Sequence, residues 1–285
     1  VGGGDCALLP AAPVEFEVLQ GFTGAEDFTF DSLGNYVAID ENNNLVRITK
    51  AGEASLWVPS VAGVTAGIVA LPDDSVVFCD VDEGSLKRVS PEGAVSTLLG
   101  GLEYPNGLDV GPDGFVYVAE NYGNQLLRVD PSTGAATIVV DLPLPNGVAF
   151  TENVTLAYVG SYEEGLVYRV DQPTPGQPGS YSLFAGSENF SGSGDDGSGG
   201  IDGIGVDKCG NIYASEYVTG YVYRITPAGD VTLIAELPSQ WVPNIHWGRG
   251  VGGFEKDVMY VADRDQGRLF GVQVAIEGVT EFVDL

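Results

Sequence analysis

The chain has 285 residues, of which 41 are Gly and 16 Pro. That share of turn formers, beside abundant Val, Ile, Thr and Tyr, excludes long helices and favours short strands joined by tight turns, while a hydrophobic content of 44% excludes global disorder. Twelve Lys and Arg against 40 Asp and Glu leave a net charge of −28, which repels phosphate backbones and anionic lipid and suits cations, calcium-rich surroundings or simple solubility.

No apolar run approaches the ~20 residues of a membrane span. The chain opens at Val1 and its one Met is Met259, so a start methionine has been removed, by cleavage of an export signal or by trimming. The first of these predicts a secreted or periplasmic protein. Two sequons, Asn153-Val154-Thr155 and Asn189-Phe190-Ser191, carry meaning only in a eukaryotic secretory pathway.

In chain order, residues 1–13 read as a tail. Val14 to Leu19 alternates and reads as a strand that adds to the last repeat and helps close the structure. Six similar segments follow: Asn35 to Asp40, Ser75 to Asp80, Phe115 to Glu120, Thr155 to Gly160, Asn211 to Glu216 and Val258 to Asp263. The first four end at 40, 80, 120 and 160. The third unit parses into four strands: Gly107 to Val110, Phe115 to Glu120, Gln125 to Val129, and Ala136 to Val140. Four strands per repeat of this length is the signature of a propeller blade. The expected fold is all-β: one six-bladed β-propeller over residues 14–285, with four-stranded blades around a central channel. An insertion enlarges blade four at about 171–200, in Asp171 to Gly179 and in the flexible Ser187 to Gly200. The second piece leads into blade five's first strand, a position suited to a lid.

The residue that opens each innermost strand is Glu26, Ala66, Asn106, Asn146, Asp202 and Asn244 in blades one to six. In a propeller these positions ring one mouth of the channel. Asn-Gly alone suits tight turns, which would account for Asn106-Gly107 and Asn146-Gly147. It does not account for Glu26, Asp202 or Asn244. Converging carboxylates and carboxamides call for a divalent hard cation, and a flexible oxygen-rich site suits Ca²⁺ first, with another divalent cation as the alternative. One His and no Cys pair at ligand spacing disfavour Zn²⁺.

Glu26, Asn146 within Leu144-Pro145-Asn146-Gly147-Val148, and Asp202 within Asp202-Gly203-Ile204-Gly205 resemble the metal ligands of the gluconolactonase/regucalcin (senescence marker protein) family. With Asn106 in Tyr104-Pro105-Asn106-Gly107 they are similar to the four-ligand set of diisopropyl fluorophosphatase and the paraoxonases. The resemblance covers roughly residues 20 to 283. It implies a catalytic Ca²⁺ on Glu26, Asn106, Asn146 and Asp202. It also implies hydrolysis of a lactone, ester or phosphotriester, with Asp202 as general base or nucleophile. Paraoxonases use a His pair, and here the chain departs, having His246 alone.

The chemistry is coherent on the residues themselves. A cation with open positions polarises a carbonyl or phosphoryl oxygen, and a neighbouring carboxylate takes a proton from water or attacks directly. His246 shares a strand side with Asn244 and is read as a proton shuttle, a helper at a second ion, or a hydrogen-bonded channel residue. Asp27 is a candidate for a second calcium. Tyr122, Tyr162, Tyr217 and Arg264 follow second strands and, with Asn244, are read as substrate-binding; aromatic walls favour an apolar or ring-shaped small molecule. Cys79 falls in a column with Ile39, Ala119, Val159, Ser215 and Ala262 and reads as an inert core residue. Cys209 lies in a turn on the face from which the tail enters, so a Cys6–Cys209 disulfide is open to it and would require an oxidising compartment. Two other readings stand beside the hydrolase. One is a non-catalytic NHL-like binding propeller with structural calcium. The other is a strictosidine-synthase-like propeller. A closed ring needs no partner to complete it, so a monomer is expected.

Overall fold

The computed structural model describes residues 6, 9–186, 190 and 200–279. Among them, 24 strands form six four-stranded antiparallel sheets arranged as the blades of a propeller. No helix among the described residues is long and apolar enough to cross a membrane. The predicted six blades and the third unit's four strands are all present: β10 (Pro105–Val110), β11 (Val116–Glu120), β12 (Gln125–Val129) and β13 (Ala136–Asp141) pair in that order.

Burial follows position within the blade. The second strands, such as β7 (Val76–Asp80), β11 and β23 (Met259–Asp263), are buried at every residue because a neighbouring blade covers each face. They therefore read as continuous apolar runs rather than alternating ones. The outermost strands, such as β5 (Ala54–Val58) and β9 (Val95–Gly100), are largely exposed. The acids that end the second strands close local turns. Asp80 binds Lys87 Nζ at 2.6 Å, Glu216 accepts from Thr219 Oγ1 at 2.8 Å, and Asp263 accepts from Arg268 Nε at 2.6 Å. The acid that marks the repeat is structural.

The ring closes as the alternation of Val14 to Leu19 predicts. β1 (Phe16–Leu19) pairs antiparallel with β24 (Arg268–Val272), Phe16 opposite Val272, and so completes blade six with β22 (Ile245–Trp247) and β23. Ahead of it, Val14 N–H donates to Ile234 O at 2.7 Å, and Arg224 Nη1 donates to Pro10 O at 3.2 Å. Cys6 and Cys209 form a disulfide with Cα atoms 5.7 Å apart, tying the tail to blade five, while Cys79 is a buried free thiol. In blade four, residues 172–179 connect β16 (Leu166–Asp171) to β17 (Ser180–Ala185). Gly179 N–H donates to Val139 O of blade three at 2.6 Å. Apart from Phe190 and Gly200, the Ser187 to Gly200 segment lies outside the described residues.

Innermost strands pack around the axis closely enough that neighbouring blades meet backbone to backbone. A Cβ on Gly107 would lie 2.2 Å from Asn146 O, and one on Gly147 would lie 2.1 Å from Asp202 O. Neither glycine holds a turn. Asn106-Gly107 and Asn146-Gly147 lie inside β10 and β14 (Pro145–Phe150), so the turn-forming account of these pairs is wrong. Glycine is needed because the next blade leaves no room for a side chain. Gly147→Ala should therefore destabilise the fold by about 1–3 kcal/mol through overpacking and displace Asp202. Gly100→Ala, with nothing within 4 Å, is the matched control. Thermal unfolding of the two variants checks this; equal midpoints would contradict it.

Candidate active site

One local device presents the mouth residues. Asn106, Asn146 and Asp202 are the second residues of β10, β14 and β18 (Ile201–Val206). In each strand the register shifts just after the opening residue, between Pro105 and Leu108, Pro145 and Val148, and Ile201 and Ile204. A bulge of this kind bends the strand and re-aims a side chain. Ahead of two bulges stand Tyr104 and Leu144 in the left-handed region, at φ 61° and 46°. A bulky residue held there marks local strain. Glu26 lies two residues before β2 (Phe28–Phe30), and Asn244 immediately before β22.

Two buried side chains brace this ring. Cys79 Sγ donates to the backbone oxygen of Asn106 at 3.1 Å. Ser215 Oγ accepts from Gly203 N–H at 3.0 Å and donates to Pro243 O at 3.3 Å, holding the backbone beside both Asp202 and Asn244. The core column thus acts on the site wherever it carries a polar atom.

The acids at the mouth oppose one another's charge. Burial pushes the Asp202 carboxyl well above its ordinary range, the negative charges of Glu26 and Asp27 push it further, and Arg264 and a hydrogen bond with Asn146 oppose them. Glu26 is raised by burial and by Asp27, against the lowering pull of Arg264. Arg264 forms an ion pair with Glu26 and donates from Nη1 to Tyr217 Oη at 2.7 Å. Its charge offsets part of the acid cluster. Asp27 sits one step deeper. Its Oδ1 accepts from Phe28 N–H at 2.8 Å and lies 2.9 Å from His246 Nε2, and its Oδ2 accepts from Ile68 N–H at 2.9 Å. The His246 ring also packs edge-on against Phe28 at 4.9 Å. Asp27 therefore orients His246 and joins blades one and two. Asn244 Oδ1 accepts from Ile245 N–H at 2.9 Å.

The aromatic residues divide into two banks. Tyr217 contacts Tyr162 at 5.9 Å and Trp241 at 4.9 Å. Tyr122 packs on Tyr104 at 4.8 Å, and Tyr104 feels the charges of Glu26 and Asp202. Sequence reading missed Tyr104 and Trp241. Tyr104 stands two residues before Asn106 in a motif otherwise read only for its Asn, and Trp241 lies in the long connection into blade six, where no repeat register guides the eye.

Among the described residues, no three His, Cys, Asp or Glu are grouped to hold a metal. The set at this mouth is different: the Glu26 and Asp202 carboxylates with the Asn106 and Asn146 carboxamides. A buried and a half-buried acid that repel each other, beside neutral oxygen donors, suit a hard cation.

A family model described as the SMP-30/Gluconolactonase/LRE-like region matches residues 117–263, more than half of the chain. The chain belongs to this SMP-30/gluconolactonase-like family. The match includes Asn146, Asp202, Asn244 and His246 and leaves Glu26 and Asn106 outside. A 6-deoxy-6-sulfogluconolactonase from Pseudomonas putida is 30% identical over 122 residues, 43% of this chain and 38% of that protein. A gluconolactonase from Xanthomonas campestris superposes with a TM-score of 0.75 at 17% identity, covering 95% of this chain and 96% of that one. The calcium-binding protein regucalcin from Agrobacterium tumefaciens gives 0.74 at 18%, covering 95% and 97%. At such identities these two structures establish that the gluconolactonase-like chain shares their fold.

Proposed function

We propose that this protein is a secreted or periplasmic calcium-dependent hydrolase of small lactones, with esters and phosphotriesters as further substrates to be tested. The observation that carries the reading is that Glu26, Asn106, Asn146 and Asp202 stand at the openings of the innermost strands of four blades, with Asn146 hydrogen-bonded to Asp202 and the charges of Glu26 and Asp202 opposed. Family membership supports lactone chemistry, and the Cys6–Cys209 disulfide supports an oxidising compartment.

Glu26, Asn106, Asn146 and Asp202 would hold the cation, which supplies a Lewis acid for the substrate carbonyl. Asp202 is the general base. The Asn146 amide holds its carboxylate in place. Its oxygen takes a proton from water, the oxygen of that water adds to the lactone carbonyl carbon, and the ring C–O bond breaks. The proton then passes to the departing ring oxygen. His246, oriented by Asp27, stands below as a second proton-handling group. Tyr217 accepts from Arg264, which leaves its own O–H free to point at the substrate.

The test is hydrolysis of an aldonolactone, an aliphatic lactone, an aryl ester and a fluorophosphate after chelation and again after Ca²⁺ is restored. Lactone hydrolysis should disappear and return. No turnover of any substrate by protein that still binds Ca²⁺ would move the reading to a non-catalytic binding propeller.

A further inference from the structure

Most of the large aromatic side chains are core residues; Tyr36, Tyr117, Tyr213 and Tyr260 are fully buried. Four described aromatic residues are prominently exposed: Tyr104 at 39%, Tyr122 at 57%, Trp241 at 38% and Tyr181 at 43%. Three of the four stand at the active-site mouth. Tyr104 and Tyr122 form one bank. Trp241 continues the other, through Tyr217 to Tyr162. Arg264 ties Tyr217 to Glu26, and Tyr104 stands two residues before Asn106 at the start of β10, so both banks adjoin the acid site. Aromatic surface left in water beside a buried polar centre is the composition of a ligand site, in which the rings supply contact area and the polar groups orientation.

We propose that the substrate is a neutral lactone carrying an aromatic or comparably flat apolar group, held between these two banks while its carbonyl reaches the acid site. This rests on the lactonase reading above and narrows its substrate class. A polyhydroxylated aldonolactone fits less well. Each hydroxyl taken from water needs a partner, and the banks offer only phenol groups and an indole N–H. An anionic substrate is disfavoured too, because Arg264 is paired with Glu26 in a chain of net charge −28. Tyr104, Tyr122 and Trp241 are thus specificity-determining residues.

The experiment compares a benzo-fused lactone with D-glucono-1,5-lactone on the Ca²⁺-loaded full chain, in wild type, Tyr122→Ala and Trp241→Ala. Binding of coumarin, a planar and slowly hydrolysed aryl lactone, is followed by calorimetry. We expect kcat/KM for the benzo-lactone to exceed that for the aldonolactone by at least about tenfold. Each substitution should raise KM for the benzo-lactone about tenfold more than for the aldonolactone, with kcat little moved. Coumarin should bind saturably and more weakly to both variants. A preference for the aldonolactone, or equal losses on both substrates, would overturn the proposal and leave the lactonase reading standing. If neither lactone is hydrolysed, the lactonase reading fails and coumarin decides: binding weakened by Trp241→Ala upholds an aromatic site, and no binding, or binding that the variants do not weaken, overturns it.

Discussion

Asp202→Asn should lower lactone turnover by about 10²–10⁴-fold, the range associated with losing a general base, and should do so without costing the cation-free protein any stability. The two effects have one origin. Asp202 is buried, and its ionised form is opposed by burial and by the charges of Glu26 and Asp27. A carboxyl whose folded pKa is raised weakens the fold at neutral pH, where the unfolded chain would ionise it freely. The near-isosteric amide removes that penalty and keeps a hydrogen bond with Asn146, so the midpoint of thermal unfolding without Ca²⁺ should stay level or rise. With Ca²⁺ the order should reverse, because wild type gains stability from the bound ion and the variant has lost one of its two carboxylate donors. Kinetics and unfolding curves with and without Ca²⁺ check both halves. Undiminished turnover would remove Asp202 from the mechanism.

Reducing the Cys6–Cys209 bridge should lower stability by about 2–5 kcal/mol, which for a chain of this size is roughly 5–15 °C in Tm. The bridge spans 203 residues of sequence, so the loop it closes in the unfolded chain takes in more than two thirds of the 285 residues. It also anchors the tail from which β1 departs, and β1 supplies the fourth strand of blade six. Its loss therefore loosens the ring at its seam. Wild type in reductant and a Cys6→Ser/Cys209→Ser variant should melt together, below the oxidised wild type. Denatured protein should show one reactive thiol before reduction and three after. A full complement of three thiols before reduction, or a Tm indifferent to reductant, would defeat the prediction.

How far the residues could be read depended on whether the constraint was local to a blade. The repeated second strands were legible because each blade buries the same strand on both faces, and the acid ending it closes the same turn, as Asp80 and Asp263 do with Lys87 and Arg268. Once blade register was known, the strand-opening residues Asn106, Asn146 and Asp202 could be located. Their glycine neighbours were misread because the pressure on Gly147 comes from Asp202 O in another blade, and local propensity carries no trace of that. The Asp27–His246 pair lies 219 residues apart in sequence, and Arg264 reaches Glu26 across the same seam. Tyr104 and Trp241 stood in connections whose course no periodicity describes.

That seam has a consequence in time. Blade six is assembled from the two ends of the chain, Phe16–Leu19 with Arg268–Val272. During synthesis β1 emerges well before β24, and waits for a partner about 250 residues further along the chain. Until then every partial ring ends in an unpaired edge, open to the wrong strand or to another molecule. Completion is therefore a late, long-range event, and folding should be slow and close to all-or-none.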